Sequence, residues 1–228
     1  MRHIVPVMSL TFLERSNLFF LTAVITFCLS LGTSAETAQS EEKLVRQTFV
    51  DYKSAILQRQ GQTAVTLVNQ ATLDYYARMQ GLALEGQERE VRQLTPLNKI
   101  LVLSLRHRVA IDQLRMMTPN QVFTYAVSQG WIGKNSVLDS EIGGLRILGN
   151  DASAEYLKGG QRTSLNYRFT KENGRWKIDL TALTPFADQA MKMLIAKEGL
   201  DEDTFVVSLI ESVSGKRVLP SIWHPPGK

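Results

Sequence analysis

Apolar residues recur at three-to-four spacing through Val45, Phe49, Tyr52 and Ile56, which predicts an amphipathic helix over roughly 41–58. Ser40, ahead of Glu41-Glu42, reads as its N-cap, with the two acidic residues on the positive end of the helix dipole. Leu73, Tyr76 and Met79 predict a further helix. Thr95-Pro96, Thr118-Pro119 and Thr184-Pro185 each place a capping hydroxyl before a proline, whose missing N–H is harmless at a first helical position, and each opens an apolar-periodic run. Gly130 and Gly199 end the second and third of these runs. Between residues 137 and 182 the period changes to two. There Gly149-Asn150, Gly159-Gly160 and Asn173-Gly174 are two-residue hairpin signals, and the segment reads as a four-stranded antiparallel meander.

The register follows from the turns. With Asn173-Gly174 as a two-residue loop, Glu172 faces Arg175, Thr170 faces Lys177, Phe169 faces Ile178 and Arg168 faces Asp179. Leu165, Tyr167, Phe169, Trp176, Ile178 and Leu180 then share one face, and a slip of one residue would turn that aromatic face to water. Carried back through Gly159-Gly160, the count pairs Tyr156 with Thr163 and Ala154 with Leu165; carried through Gly149-Asn150, it adds Ile147 and Leu145 to the inner face. Paired glycines in a strand mark a bulge or bend, so Gly143-Gly144 decides what lies beyond. With a bulge, Ile142 and Leu138 face inward; without one, Glu141 and Asp139 do.

Helices segregated from an antiparallel sheet make an α+β domain: amphipathic helices on a curved four-stranded meander, with extra C-terminal helices. That order, ending in the strand Gly174-Arg-Trp-Lys-Ile-Asp-Leu180, resembles the nuclear transport factor two-like superfamily over roughly residues 40–183. The resemblance implies a cone-shaped fold with a cavity, in a superfamily that includes ketosteroid isomerases, dehydratases, epoxide hydrolases and non-catalytic binding modules. This chain departs from the pattern by additional helix around 95–130 and by the residues after the sheet. The expected organisation is a signal peptide over 1–35, an α+β domain over 36–183 and a helical extension over 184–228 packed on it.

The N-terminus changes the picture of compartment. Arg2 and Arg15 precede the apolar run Leu18–Leu31, and Gly32-Thr-Ser-Ala35 supplies small residues for a cut near Ala35; the run is short against the ~20 residues of a comfortable membrane span. Export to a periplasm or the exterior is the expectation, with an uncleaved N-terminal anchor as the alternative. Cys28 is the single cysteine, so a chain cut at Ala35 has no disulfide, thiolate metal site or cysteine nucleophile. Losing Arg2, Arg15 and Glu14 leaves 24 basic against 21 acidic residues, so the formal charge goes from +4 to +3. That mild balance, with no basic stripe carrying interleaved aromatics, argues against nucleic acid as a partner.

Candidate chemistry is sparse. Lys177 and Asp179 lie on the wet face, where cross-strand pairing of Asp179 with Arg168 and of Glu172 with Arg175 is ordinary surface chemistry of less than about 1 kcal/mol. Glu141 and Asp139 are the catalytic candidates, because an inward carboxylate would be desolvated and able to move protons. Tyr156, Tyr167, Trp176 and Trp131 are the candidate ligand-binding residues, with rings that fit an apolar lining and polar tips able to orient a ligand. His107 and His224 are far apart, with no paired-histidine or HExxH spacing, so neither a metal nor another cofactor is expected. Arg106-His107-Arg108 with Arg115 suits a helix C-terminus, and Asp201-Glu202-Asp203 suits a helix start. Ile222 and Trp223, set among prolines, are expected to dock on the body. Three functions remain open: a binding module for a small apolar ligand or a protein partner, a cavity enzyme of isomerase or dehydratase type using an inward carboxylate and a tyrosine, and a homodimer formed through the outer sheet face.

Overall fold

In a computed structural model the described residues are 38–132 and 136–227. The chain divides into Met1–Lys43 and Leu44–Lys228. The expected leader over 1–35 lies outside the described residues. A helix, α1, covers 38–57, so Ser40 sits inside it rather than capping it.

The sheet forms where the period-two segment predicts it, with strands β1 (Ser140–Leu148), β2 (Asp151–Lys158), β3 (Gln161–Glu172) and β4 (Arg175–Asp179) in the order β1-β2-β3-β4. All neighbours are antiparallel, and each connection is a two-residue turn. Asn173 at φ 51° and Gly174 at φ 76° meet the demand of a tight hairpin for positive φ at both central positions. The β3–β4 register is the expected one: Arg168 opposite Asp179, Phe169 opposite Ile178, Thr170 opposite Lys177 and Glu172 opposite Arg175.

Two departures from the expected register follow from irregularities in the strands. Gly143 and Gly144 do bulge, two residues facing Glu155 alone, so the register shifts between Ile142 and Leu145. The Glu155 carboxylate fills the space their missing side chains leave. It accepts from Gly144 N at 2.9 Å and pairs with Arg162 at 3.0 Å. A second irregularity was not foreseen. After Leu157–Arg162 the register jumps, and Ala154 pairs with Tyr167 rather than Leu165. The cause lies at Thr163, whose Oγ1 donates to Tyr156 O at 2.9 Å and accepts from Leu165 N at 3.1 Å, folding surplus strand into a local turn. A shift of two residues leaves the faces unchanged. Leu138, expected inward if the bulge formed, precedes β1 and is 52% exposed.

Helix α1 covers the inner face. Phe49 packs on Tyr167 with ring centroids 5.0 Å apart, and Thr48 Oγ1 donates to Trp176 O at 3.4 Å. From the same helix Lys53 Nζ donates to Ser140 O at 2.8 Å and Arg46 Nη2 to Gly143 O at 3.0 Å, satisfying carbonyls of β1 at the sheet edge. The other edge, β4, is met by the chain running from α2 (Gly61–Thr66) into α3 (Gln70–Glu85). Val68 forms a parallel bridge with Ile178, Asn69 N donates to Ile178 O at 3.0 Å, and Ile178 N donates to Leu67 O at 2.8 Å. Buried Asn69 caps α3, its Oδ1 accepting from Thr72 N at 3.0 Å and Thr72 Oγ1 at 2.8 Å, and Thr72 Oγ1 in turn accepts from Leu180 N at 3.0 Å.

The remaining helices are α4 (Glu88–Arg92), α5 (Pro96–Arg108), α6 (Ile111–Met116), α7 (Pro119–Ser128), α8 (Thr184–Glu198) and α9 (Glu202–Ser214). The short helices α2, α4 and α6 have no distinct signal in the hydrophobic pattern. Of the three Thr-Pro pairs, Thr118 makes a full capping box with Gln121, Thr95 makes no side-chain cap, and Thr184 lies within α8 with its hydroxyl on Thr181 O.

Helix α5 is the hub of the helical layer. Its Lys99, 5% exposed, reaches Glu202 at 2.6 Å and Asp203 at 2.8 Å in the first turn of α9. Burial works against the charged ammonium, but the bonds to Asp203 and Glu202 outweigh it and leave its pKa raised. Its Arg106, expected to face the dipole of its own helix, ends a different one: the guanidinium donates to Leu82 O, Ala83 O and Gly86 O around the end of α3, and to Ile222 O in the tail at 3.0 Å. Trp223 is buried beneath Arg92, whose guanidinium lies 4.1 Å from the ring centroid. The tail docks, as its apolar residues suggest.

Two stability measurements check this packing. Asn69→Ala removes the α3 cap and the acceptor of two buried donors, and is expected to cost about 2–3 kcal/mol in chemical denaturation, with Asn69→Asp costing less than half as much. A Cβ at Gly61 would meet Thr124 O of α7 at 2.2 Å, whereas one at Gly81, within α3, meets nothing within 4 Å. Gly61→Ala should therefore lose about 1–3 kcal/mol and Gly81→Ala gain about 0.5–1 kcal/mol.

Candidate functional site

The join of β4 to α3 forms one wall of a half-open pocket of ≈ 280 Å³. Thr72, Tyr75 and Tyr76 of α3 face Ile100, Leu101 and Ser104 of α5 across it. Leu180 and Thr181 close it on the sheet side, and Trp131 and Ile132, just after α7, close it on another. Among the described residues no charged side chain contributes to the lining. Such a mostly apolar enclosure with a few polar groups is the usual make-up of a small-molecule site.

Most of the polar groups at the pocket are bonded within the protein. Thr72 is held by Asn69 and Leu180 N, Thr181 Oγ1 donates to Asp179 at 2.6 Å, and the Tyr75 hydroxyl donates to Asn98 Oδ1 at 2.7 Å. Three donors are different. The buried indole N–H of Trp131 has no hydrogen-bond partner among the described residues. The hydroxyls of Tyr76 and Ser104 also make no hydrogen bond among the described residues but, unlike the indole nitrogen, are not buried unpaired atoms. An unpaired buried donor costs about 1–3 kcal/mol. The indole is held in place by neighbours: the Tyr125 ring meets it edge-on at 5.5 Å and the Arg108 guanidinium lies 4.7 Å over it.

The two tyrosines of α3 are strongly shifted. Burial, and then the charge of Asp188, push Tyr75 from 10.0 up to about 12, against a smaller opposing effect of Arg78. Tyr76 is pushed further up, by burial and then by Tyr75. Both phenols therefore stay protonated through the neutral range, as hydrogen-bond donors.

The residues singled out from sequence are distributed differently. Trp131 lines the pocket. Tyr167 is buried between Phe49 and Tyr156, at ring distances of 5.0 and 5.2 Å, and Tyr156 accepts from Ser140 Oγ at 3.3 Å. Trp176 is buried in the core, with Lys171 Nζ 5.7 Å from its ring centroid. None of those three is among the lining residues. Glu141 and Asp139 are exposed and stand outside the pocket, because the bulge at Gly143-Gly144 turns Glu141 outward. Among the described residues no group of three or more His, Cys, Asp or Glu is placed to hold a metal ion.

The cross-strand ion pairs expected on the outer face do not form, although the register that predicts them is correct. Asp179 Oδ1 accepts instead from Thr181 N at 2.9 Å, and Glu172 Oε1 from Gln70 N at 2.9 Å at the start of α3. Backbone donors already fixed by a turn hold a carboxylate at less entropic cost than a mobile guanidinium in water. Asp201 behaves similarly as the cap of α9, and hydrogen bonds from Thr204 lower its pKa.

Thr72, Tyr75, Ile100, Leu101 and Ser104 were not apparent as pocket residues in the sequence. A signal existed in α5: Val102, Leu103 and Leu105 are fully buried in the core while Ile100, Leu101 and Ser104 make a second, half-buried stripe. A helix apolar on more than one face meets two surfaces.

The fold and pocket define an α+β protein with a largely apolar, half-open pocket whose described lining carries no charge. No family model, curated protein or solved structure matches the chain.

The tyrosine shifts give a pH dependence. Unfolded tyrosine releases its proton near 10.0 whereas half-buried Tyr75 holds it to about 12. Above pH 10 the unfolded state thus binds fewer protons, and stability falls as pH rises toward 12. Tyr75→Phe should remove part of that loss in denaturation curves taken across this window, the rest coming from the buried Tyr76 and Tyr52. In the parent protein, tyrosinate absorbance should report one such phenol titrating near pH 12.

Proposed function

We propose that this chain is an exported, non-enzymatic binding module that holds a small apolar ligand in the pocket between α3, α5 and the β4–α3 join. The observation that carries the reading is the lining itself: apolar side chains and hydroxyls, with no charged group among the described residues. General acid or base catalysis needs a titrating group within reach of the substrate, and Glu141 and Asp139, the carboxylates considered for that role, are on the surface. The helices-then-sheet order supports assignment of the domain to the nuclear transport factor two-like superfamily. Export rests on the N-terminal sequence, with residues 1–35 as signal peptide and the periplasm or exterior as destination. No described helix is long and apolar enough to cross a membrane.

Native mass spectrometry of the protein purified from its own host should show a retained small molecule. Ser104→Phe, which places a ring in the pocket, should reduce its occupancy at least tenfold while leaving the denaturation midpoint near that of the parent. An empty parent protein, or a ligand that Ser104→Phe fails to displace, would sink this reading.

A further inference from the structure

Helix α8 meets the rest of the protein through a narrow stripe. Ile195 is buried, Met191 and Asp188 are half-buried one and two turns before it, and the Asp188 carboxylate accepts from Leu97 N at 2.9 Å at the start of α5. The opposite, outward face is the one that a surface helix ordinarily makes polar. Here it carries Phe186, Ala190, Met193 and Leu194, spaced at i, i+4, i+7 and i+8, with Phe186 47%, Met193 65% and Leu194 42% exposed. By ordinary side-chain sizes that is roughly 300–400 Å² of apolar surface on one side of one helix, as much as the largest patch on a typical monomer.

Size, shape and charge decide among the occupants of such a face. A stable dimer buries about 800 Å² on each partner, so a second copy seated here would find half of that or less. A lone helix is convex and offers a protein partner no groove, whereas a lipid surface needs none. Lys197, at i+11, stands in line with the apolar residues and Lys192 lies at their flank; both are exposed and make no ion pair among the described residues. Of the acidic residues of α8 only Glu198 is exposed, and the whole chain carries a formal charge of +4. A lysine stem lies along hydrocarbon while its ammonium reaches up to the headgroups. We propose that α8 is an interfacial helix that rests on an anionic lipid surface, with Phe186, Met193 and Leu194 among the acyl chains and Lys192 and Lys197 at the headgroup phosphates. This goes beyond the binding reading above and does not rest on it.

The test uses the full chain and vesicles of phosphatidylcholine with or without about a quarter phosphatidylglycerol. A chain that keeps the apolar run Leu18–Leu31 would reach vesicles through that run, so the readout is a probe on α8 itself. In a Cys28→Ser background, Met193→Cys carries a nitroxide, and Ser164→Cys, exposed on the outer sheet face, carries the same label as a control. On anionic vesicles the label at 193 should gain access to dissolved oxygen and lose access to a water-soluble nickel chelate, changing their ratio about fivefold, while the label at 164 stays wet. Phe186→Glu should abolish that change, and Lys192→Gln combined with Lys197→Gln should remove half of it or more, both with the denaturation midpoint kept near that of the parent. A label at 193 as wet on vesicles as in solution would overturn the proposal. So would one already shielded in vesicle-free protein, where a doubled mass in light scattering would put a second copy on the face. Equal shielding on vesicles without phosphatidylglycerol would overturn the requirement for anionic lipid. A lipid-buried α8 on a protein whose pocket proves empty upholds this inference and defeats the binding reading alone.

Discussion

The short run from Leu67 to Thr72 joins the two layers of this protein. It pairs with Ile178 as a parallel bridge, closes the exposed edge of β4, and becomes the start of α3 within the same few residues. Asn69 makes the change of structure workable: its side chain ends the extended stretch and begins the helix, while Thr72 reaches back to Leu180 N. Without that join, β4 would present unpaired backbone groups and α3 would have no fixed angle to the sheet. Because Thr72, Tyr75 and Tyr76 follow directly from it, and Leu180 and Thr181 lie on its other side, the pocket wall is positioned by the same contacts.

Polar side chains in this fold serve mainly to satisfy fixed backbone groups. Asp179, Glu172 and Asp201 each accept from an N–H at a turn or helix start, and Arg106 donates to carbonyls from the end of α3, Gly86 and the tail. A buried backbone group without a partner is costly, whereas an exposed ion pair contributes little, so capping contacts prevail where the two compete. Lys99 is an exception in kind, a buried ammonium neutralised by two carboxylates in the first turn of α9. The outer ends of the helical layer are thus tied by ionic and cation–aromatic contacts to a body whose core is otherwise apolar.

Much of this was legible in the residue pattern, and the rest was not for identifiable reasons. The two-residue turns and the Phe169–Ile178 register could be written down because side-chain alternation and positive-φ requirements are local. The Gly143-Gly144 bulge was visible as a possibility, and its formation put Glu141 outward. The second irregularity, at Thr163, was invisible because it depends on a threonine hydroxyl preferring its own neighbours to the ladder. Tyr156, Tyr167 and Trp176 were assigned to the correct face of the sheet, but α1 covers that face with Phe49 and its neighbours, leaving room elsewhere.

By itself, then, the sequence determined the α+β class, the four strands and their inner and outer faces, and the aromatic character of the interior, because each is a consequence of period, turn chemistry and burial along one stretch of chain. Only the tertiary structure decided where space remains. A pocket is what several surfaces fail to fill, and its lining here comes from α3, α5, the end of α7 and the segment after β4, residues separated by more than a hundred positions. It also decided which donors are left without acceptors, since whether Trp131 finds a partner depends on every group packed around it rather than on the residues beside it in the chain.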